Sequence, residues 1–184
     1  MPSFGYTTVG ASQAETQIYN YITGSIFTCP QDGQANSITA HMYITDDPMY
    51  VKCAIYRASD LSFIAATEEK TIPRTSGSWQ TFNFLGTPPT LSAGIQYLLV
   101  AWATRTPSGV GIAYIENDPV GTYLTVRQSL TYSANFPSVL VPTYDNAHPD
   151  YPTGYYPRIC SIYCTYTAVA PPPTGTLTVH AKTA

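Results

Sequence analysis

Residues 79–103, WQTFNFLGTPPTLSAGIQYLLVAWA, leave this chain few ways to fold. In WQTFNF, Phe82 and Phe84 alternate with Thr81 and Asn83, the period-2 pattern of a strand with one buried face. GTPPTLSAG cannot continue a ladder, because its prolines have no N–H, and the glycines at its ends can turn. IQYLLVAWA is then apolar at nearly every position. A strand of that kind is covered on both faces and sits in the middle of its sheet. The segment predicts an all-β fold, an antiparallel β-sandwich.

The flanking sequence agrees. Residues 4–9 and 16–29 read as strands, with Ile18, Ile22, Ile26 and Phe27 as core candidates. Pro30-Gln31-Asp32-Gly33 reads as a turn. In 37–45, Ile38, Ala40, Met42 and Ile44 alternate with Thr39, His41 and Tyr43. In 50–57, Val51, Cys53 and Ile55 are expected inward and Lys52, Ala54 and Tyr56 outward. Residues 62–72 form another expected strand, with Glu68 and Glu69 at its exposed end, and Ser76-Gly77-Ser78 a turn. Residues 109–116 and 122–130 read as a hairpin with a longer loop. Residues 158–169 are the expected closing strand. No stretch carries a clear 3.6-residue apolar period, so little helix is expected.

Only 10% of residues are charged, against a typical ~25%. The outer faces must therefore be coated with Thr, Ser, Asn, Gln and the 16 tyrosines. Such a coat suits an extracellular or particle-surface protein, and it can become an interface without burying many charges. Net charge is −3 and the eight basic residues are scattered, which argues against nucleic-acid binding. No run approaches the ~20 apolar residues of a membrane span. The start, MPSFGYTTVG, lacks the charged and apolar regions of an intact secretory signal.

Residues 132–157 break the pattern. They hold five prolines and Tyr132, Tyr144, Tyr151, Tyr155 and Tyr156, without periodicity. A long ordered loop over one end of the sandwich is expected, and such loops often carry function. Exposed aromatic faces stack on sugars, and tyrosine is enriched at interfaces. Trp79, Tyr144, Tyr151, Tyr155 and Tyr156 are thus candidate ligand or interface aromatics. The alternative for the tyrosines is that they only pack the loop down. Trp102, in mid-strand, is expected in the core and Trp79 at the rim of the sandwich.

The chain divides into a sandwich domain (1–169), a Pro-rich linker (170–175) and a C-terminal strand (176–184). Pro171-Pro172-Pro173 is a stiff polyproline spacer. TLTVHAK then alternates Leu177, Val179 and Ala181 against Thr178, His180 and Lys182. A strand beyond a rigid spacer lacks a hairpin partner. It can fold back, begin a further module, or be donated to the sheet edge of a neighbour.

Cys29, Cys53, Cys160 and Cys164 allow three complete pairings. On one regular strand Cys160 and Cys164 would lie about 13 Å apart at ~3.3 Å per residue, beyond disulfide reach. Any disulfide therefore joins different strands; otherwise all four are small buried hydrophobes. None has zinc-site spacing, and no metal is assigned. Calcium is a lesser possibility at Asp46-Asp47 or at Glu116 with Asp118. Among the histidines, only His148 lies near carboxylates, Asp145 and Asp150, where a polar turn is the favoured reading over acid–base work. His41 and His180 are expected as surface or cross-strand residues. No nucleophile elbow or phosphate loop occurs. The chain is not expected to be an enzyme, and no catalytic residue or cofactor is assigned.

FGYTTVGAS (4–12), GSIFTCPQDGQANSITAHMYI (24–44), KCAIYR (52–57), GSWQTFNF (77–84) and LSAGIQYLLVAW (91–102) give the chain a recognisable style. It resembles jelly-roll β-sandwich modules of phage-like and archaeal surface and appendage proteins, and is similar in style to carbohydrate-binding modules. The tail TGTLTVHAKTA looks like the opening of a small repeated β module. The resemblance implies a jelly roll on the outside of a cell or particle, and carries no site residue over. The resulting expectation is a structural subunit of an extracellular or virion-surface filament, polymerising with copies of itself by strand augmentation. The alternative is a carbohydrate-binding or adhesion module with a glycan partner.

Overall fold

The apolar run that dominates the sequence becomes a strand with a neighbour on each side and packed side chains on both faces. In this computed structural model the described residues are 1–13, 16–45, 48–105, 111–120, 124–143 and 155–169. Among them there is no helix. The strands are β1 (Ser3–Gly5), β2 (Tyr21–Thr28), β3 (Gly33–Ile44), β4 (Met49–Arg57), β5 (Phe63–Ile72), β6 (Thr75–Asn83) and β7 (Thr90–Leu91). They continue with β8 (Gln96–Arg105), β9 (Ala113–Ile115), β10 (Asn117–Pro119), β11 (Thr125–Ser129), β12 (Tyr155–Tyr156), β13 (Arg158–Cys160) and β14 (Ile162–Ala168).

Two antiparallel sheets pack on each other as a β-sandwich. The first has the order β1-β14-β3-β6, with β7 and β9 also paired to β3. The second runs β12-β11-β2-β8-β4-β5, and β10 and β13 form a separate pair. Period-2 alternation fills the space between the sheets as the sequence predicts. Ile38, Ala40, Met42 and Ile44 of β3 and Phe82 of β6 meet Val51, Cys53 and Ile55 of β4 and Leu99, Ala101 and Ala103 of β8. Area removed from water at these positions is the main source of stability.

A second apolar layer lies on the far side of the second sheet. Lys52, Ala54 and Tyr56 were expected to face water, yet all three are buried. They lie with Ile22, Leu98, Val100, Trp102 and Val126 beneath Phe136 and Leu140, and Leu130 and Tyr132 pack at the margin. Of the proline-rich stretch 132–157, the described residues 132–143 lie, with the preceding Leu130, as a strap across a sheet face where a cover over one end was expected, and Tyr155–Tyr156 form β12. Trp102 is fully buried, but in this layer and not between the sheets.

Other expectations are corrected. Residues 109–116 and 122–130 do not pair as a hairpin: β9 joins β3, and β11 joins β2 and β12. Turn residues mark a break in the chain but not the partner of the strand that follows. The closing strand is interrupted at Ser161, and the two pieces go to different partners, β13 to β10 and β14 to β3 and β1. The first strand is confined to Ser3–Gly5, and Ile26 and Phe27 are only half-buried. Ser76-Gly77-Ser78 is no turn. Met42 pairs with Ser78 and Ile44 with Thr75, so β6 gains a residue against β3 in a β-bulge. Gly77 takes φ +117°, a left-handed conformation that disfavours any side chain.

Candidate functional site

The two outer faces of the sandwich differ. That of the second sheet is closed by the strap, and the tie points come from the sheet itself. Tyr56 donates its hydroxyl to the Pro137 carbonyl at 3.0 Å, and Trp102 donates Nε1–H to Leu130 at 3.3 Å. Val141 N–H reaches Gln128 Oε1 at 2.9 Å. Lys52 Nζ donates to the carbonyls of Ser133 and Ala134. The ammonium stands 4.4 Å from the ring centre of Tyr132, 5.0 Å from Trp102 and 5.1 Å from Phe136. Tyr132 in turn gives its hydroxyl proton to Glu69, the cross-strand neighbour of Lys52. Burial pulls the Lys52 pKa below its ordinary value, opposed by the Glu69 charge.

The outer face of the first sheet has no such strap among the described residues. Register places Asn83, Ser37, Thr165 and Ser3 side by side across β6, β3, β14 and β1. The next row holds Thr81, Thr39, Tyr163 and Gly5. Trp79 and His41 follow, and Tyr43 pairs with Tyr114 beyond them. Hydroxyls bridge the strands, Ser37 to Thr165 at 2.7 Å and Thr39 to Thr81 at 2.9 Å. Each such cross-strand pair contributes a few tenths of a kcal/mol, roughly 0.2–1.

At the centre of this face, His41 Nδ1 contacts Glu116 Oε2. Backbone bonds hold the two together: Glu116 N–H donates to the His41 carbonyl at 3.1 Å, and Ser161 N–H to the Glu116 carbonyl at 2.8 Å. The Trp79 ring meets His41 edge-on at 5.1 Å and Tyr163 at 5.4 Å. A side chain at Gly77 would place its Cβ 3.0 Å from His41 Cε1, so the bulge glycine makes room for the imidazole. The result is a half-exposed aromatic ledge, Trp79 and Tyr163, resting on a buried imidazole–carboxylate contact. It can stack on a flat partner or sugar ring.

Trp79 therefore lies in mid-strand, on a face that no strap covers among the described residues, and not at a rim following a turn. Tyr155 and Tyr156 form β12 at the edge of the second sheet, Tyr155 half-buried against the strap layer and Tyr156 buried. Neither shares the ledge with Trp79. Tyr144, Asp145, His148, Asp150 and Tyr151 lie outside the described residues. So do Asp46 and Asp47, and the tail with Leu177, Val179 and Ala181. Glu116 and Asp118 do not converge on a shared site. Asp118 instead accepts from the Tyr6 hydroxyl at 2.6 Å and Ala11 N–H at 2.9 Å, bonds that hold its carboxyl below the usual range. No cluster of three or more metal-ligating side chains occurs among the described residues.

Cys29, Cys53, Cys160 and Cys164 are all buried free thiols, so no disulfide joins the strands. Cys160 and Cys164 fall on two successive strands, not one. Burial pushes the pKa of all four upward, the opposite of an activated nucleophile. The sequence reading missed two groups. The His41–Glu116 contact has no sequence signal, because it depends on strand register. Lys52 had one: a lone cation inside an apolar run needs a partner if the strand is central.

No protein-family model matches the chain, and no curated protein matches it. No helix among the described residues is long and apolar enough to cross a membrane.

Proposed function

We propose that the chain is a jelly-roll structural subunit of an extracellular or virion-surface assembly. The strand order supports the jelly roll. Eight strands interleave as β1-β14-β3-β6 against β2-β8-β4-β5, the chain crossing between sheets in the manner of paired Greek keys. The observation that carries the assembly reading is the asymmetry of the faces. One is sealed by the chain's own strap. The other presents rows of Ser, Thr, Tyr and Trp side chains, and its imidazole and carboxylate contact each other. A face of this composition associates without stranding unpaired charges.

The lateral edges differ too. Between β5 and β6 the sandwich is stitched: Asn83 N–H donates to Glu68 Oε1 at 2.9 Å, and Lys70 Nζ to the Thr81 carbonyl at 2.6 Å. The opposite side ends in the three-residue β1 and the two-residue β12. Backbone N–H and C=O groups left without a ladder partner beyond these short strands can accept an added strand, which the alternating Leu177, Val179 and Ala181 segment of a neighbour would supply.

Electron microscopy with light scattering on the full chain, on the chain ending at Val169, and on Trp79→Ser tests this. Filaments or defined oligomers from the full chain, lost in both variants while they stay folded, are the expected result. A monomeric full chain overturns the reading. A second reading, a carbohydrate-binding or adhesion module, is favoured by the half-exposed Trp79–Tyr163 ledge. It predicts a monomer that binds on a glycan array and loses that binding on Trp79→Ser.

A further inference from the structure

A different site lies at one end of the second sheet. Register brings Thr28, the last residue of β2, opposite Gln96, the first of β8, and Arg57 closes β4 on the other side. The 58–62 turn and the 92–95 loop complete a shallow cleft of about 330 Å³, lined by Thr28, Arg57, Ser59, Gly94, Ile95 and Gln96. That volume falls at the lower end of small-ligand sites, roughly 300–1,000 Å³.

The walls are fixed by backbone bonds. Ala58 N–H donates to the Gln96 carbonyl at 3.0 Å, Cys29 N–H to Ile95 at 2.9 Å, and Gly94 N–H to Cys29 at 2.8 Å. Among the described residues, no hydrogen bond or ion pair engages the side chains of Thr28, Arg57, Ser59 or Gln96. The nearby Asp60 carboxylate instead accepts from Ser62, from N–H at 3.0 Å and from the hydroxyl at 2.7 Å. Arg57 is an exposed cation at the end of β4; its charge helps to hold the Asp60 carboxyl below the usual range, but it makes no hydrogen bond to that carboxylate among the described residues.

We propose that this cleft binds an acidic monosaccharide, free or at the end of a glycan. The Arg57 guanidinium offers paired N–H donors in the fork that matches a carboxylate. Thr28, Ser59 and Gln96 supply the hydroxyl and amide partners that ring hydroxyls require. Ile95, 38% exposed, offers an apolar patch to the C–H face of the ring. At Gly94 an added Cβ would meet nothing within 4 Å, so the loop leaves open space on that side. The site is independent of the Trp79 face and stands or falls apart from the assembly reading.

The test is amide-resolved NMR of the full chain titrated with glucuronate and with N-acetylneuraminate, against glucose and acetate. At least one acidic sugar should shift the amides of Ser59, Gly94, Ile95 and Gln96 saturably. Glucose and acetate should act at least tenfold more weakly, each lacking half of the recognition. Arg57→Gln should abolish the shifts with the remaining spectrum unchanged, Arg57→Lys should retain part of them, and Gln96→Ala should weaken sugar without changing charge. No saturable shift at the cleft overturns the proposal. So does binding by acetate as strong as by the sugars, which would mark a bare anion hole, or binding undiminished in Arg57→Gln.

Discussion

Lys52 and Trp102 face each other across β4 and β8, the ammonium 5.0 Å from the indole ring centre, at the point where the strap is fastened down. The cation holds two strap carbonyls and three aromatic rings from a position only 4% exposed. Lys52→Ala removes the bonds and leaves space among the rings, so a loss of about 2–4 kcal/mol is expected. Lys52→Met keeps the apolar stem and should lose roughly half as much, because the freed carbonyls can turn to water. Urea midpoints measure the loss. Trp102 emission, red-shifted below the unfolding transition in Lys52→Ala, would show that the strap lifts before the sandwich opens. Equal stability of the alanine variant and the wild type would refute the fastening role.

Gly77 carries a second prediction. Its φ of +117° strains any side chain, and its Cβ would approach His41 Cε1 at 3.0 Å. Gly77→Ala is expected to destabilise by about 1–3 kcal/mol. His41→Ala in the same chain should recover the steric part and leave the backbone part. A double-mutant cycle separates the two, and a coupling of zero would mean that the glycine serves the bulge alone.

A third expectation concerns alkaline pH. The four thiols and the Tyr56 and Tyr132 hydroxyls all have folded-state pKa values raised by burial. A raised pKa means that the folded state holds the proton more tightly. The stability this contributes is complete below the unfolded pKa and is lost as pH rises through the folded one. Stability should therefore fall from about pH 8.5, where unfolded thiols ionise, and more steeply from about pH 10 with the tyrosines. Lys52 acts in the opposite direction, its pKa being lowered, but it is one group against six. Urea midpoints under reducing conditions from pH 7 to 10.5 give the slope. Cys164→Ala should flatten its first part, and a pH-independent midpoint would count against the buried placement.

Much of the sandwich was legible in the chain before any coordinates. The alternation in β3 and the inward half of β4, and the continuous apolar run of β8, are local consequences of period-2 geometry. They hold whatever the strands pair with. Turn chemistry likewise marks where chain direction changes, at Asp32-Gly33 for one. What a strand's second face meets is not local. Lys52, Ala54 and Tyr56 read as solvent-facing because nothing in 50–57 reports that residues 130–143 will lie across them. The Ser76-Gly77-Ser78 triplet reads as a turn for a similar reason: a glycine tolerates both a reversal and a bulge, and only pairing with β3 selects the bulge.

The sequence by itself determined the all-β class, the central strand and the neutral, hydroxyl-rich surface, because those follow from side-chain period and charge count. Tertiary structure alone decided which face the strap covers and which face the described residues leave uncovered. It brought His41 to Glu116 beneath Trp79, and gathered Thr28, Arg57 and Gln96 at one sheet end. The physical reason is register: in an antiparallel sheet the neighbours of a side chain are set by hydrogen-bonded pairing between segments far apart in the chain. No local preference of those segments encodes the choice.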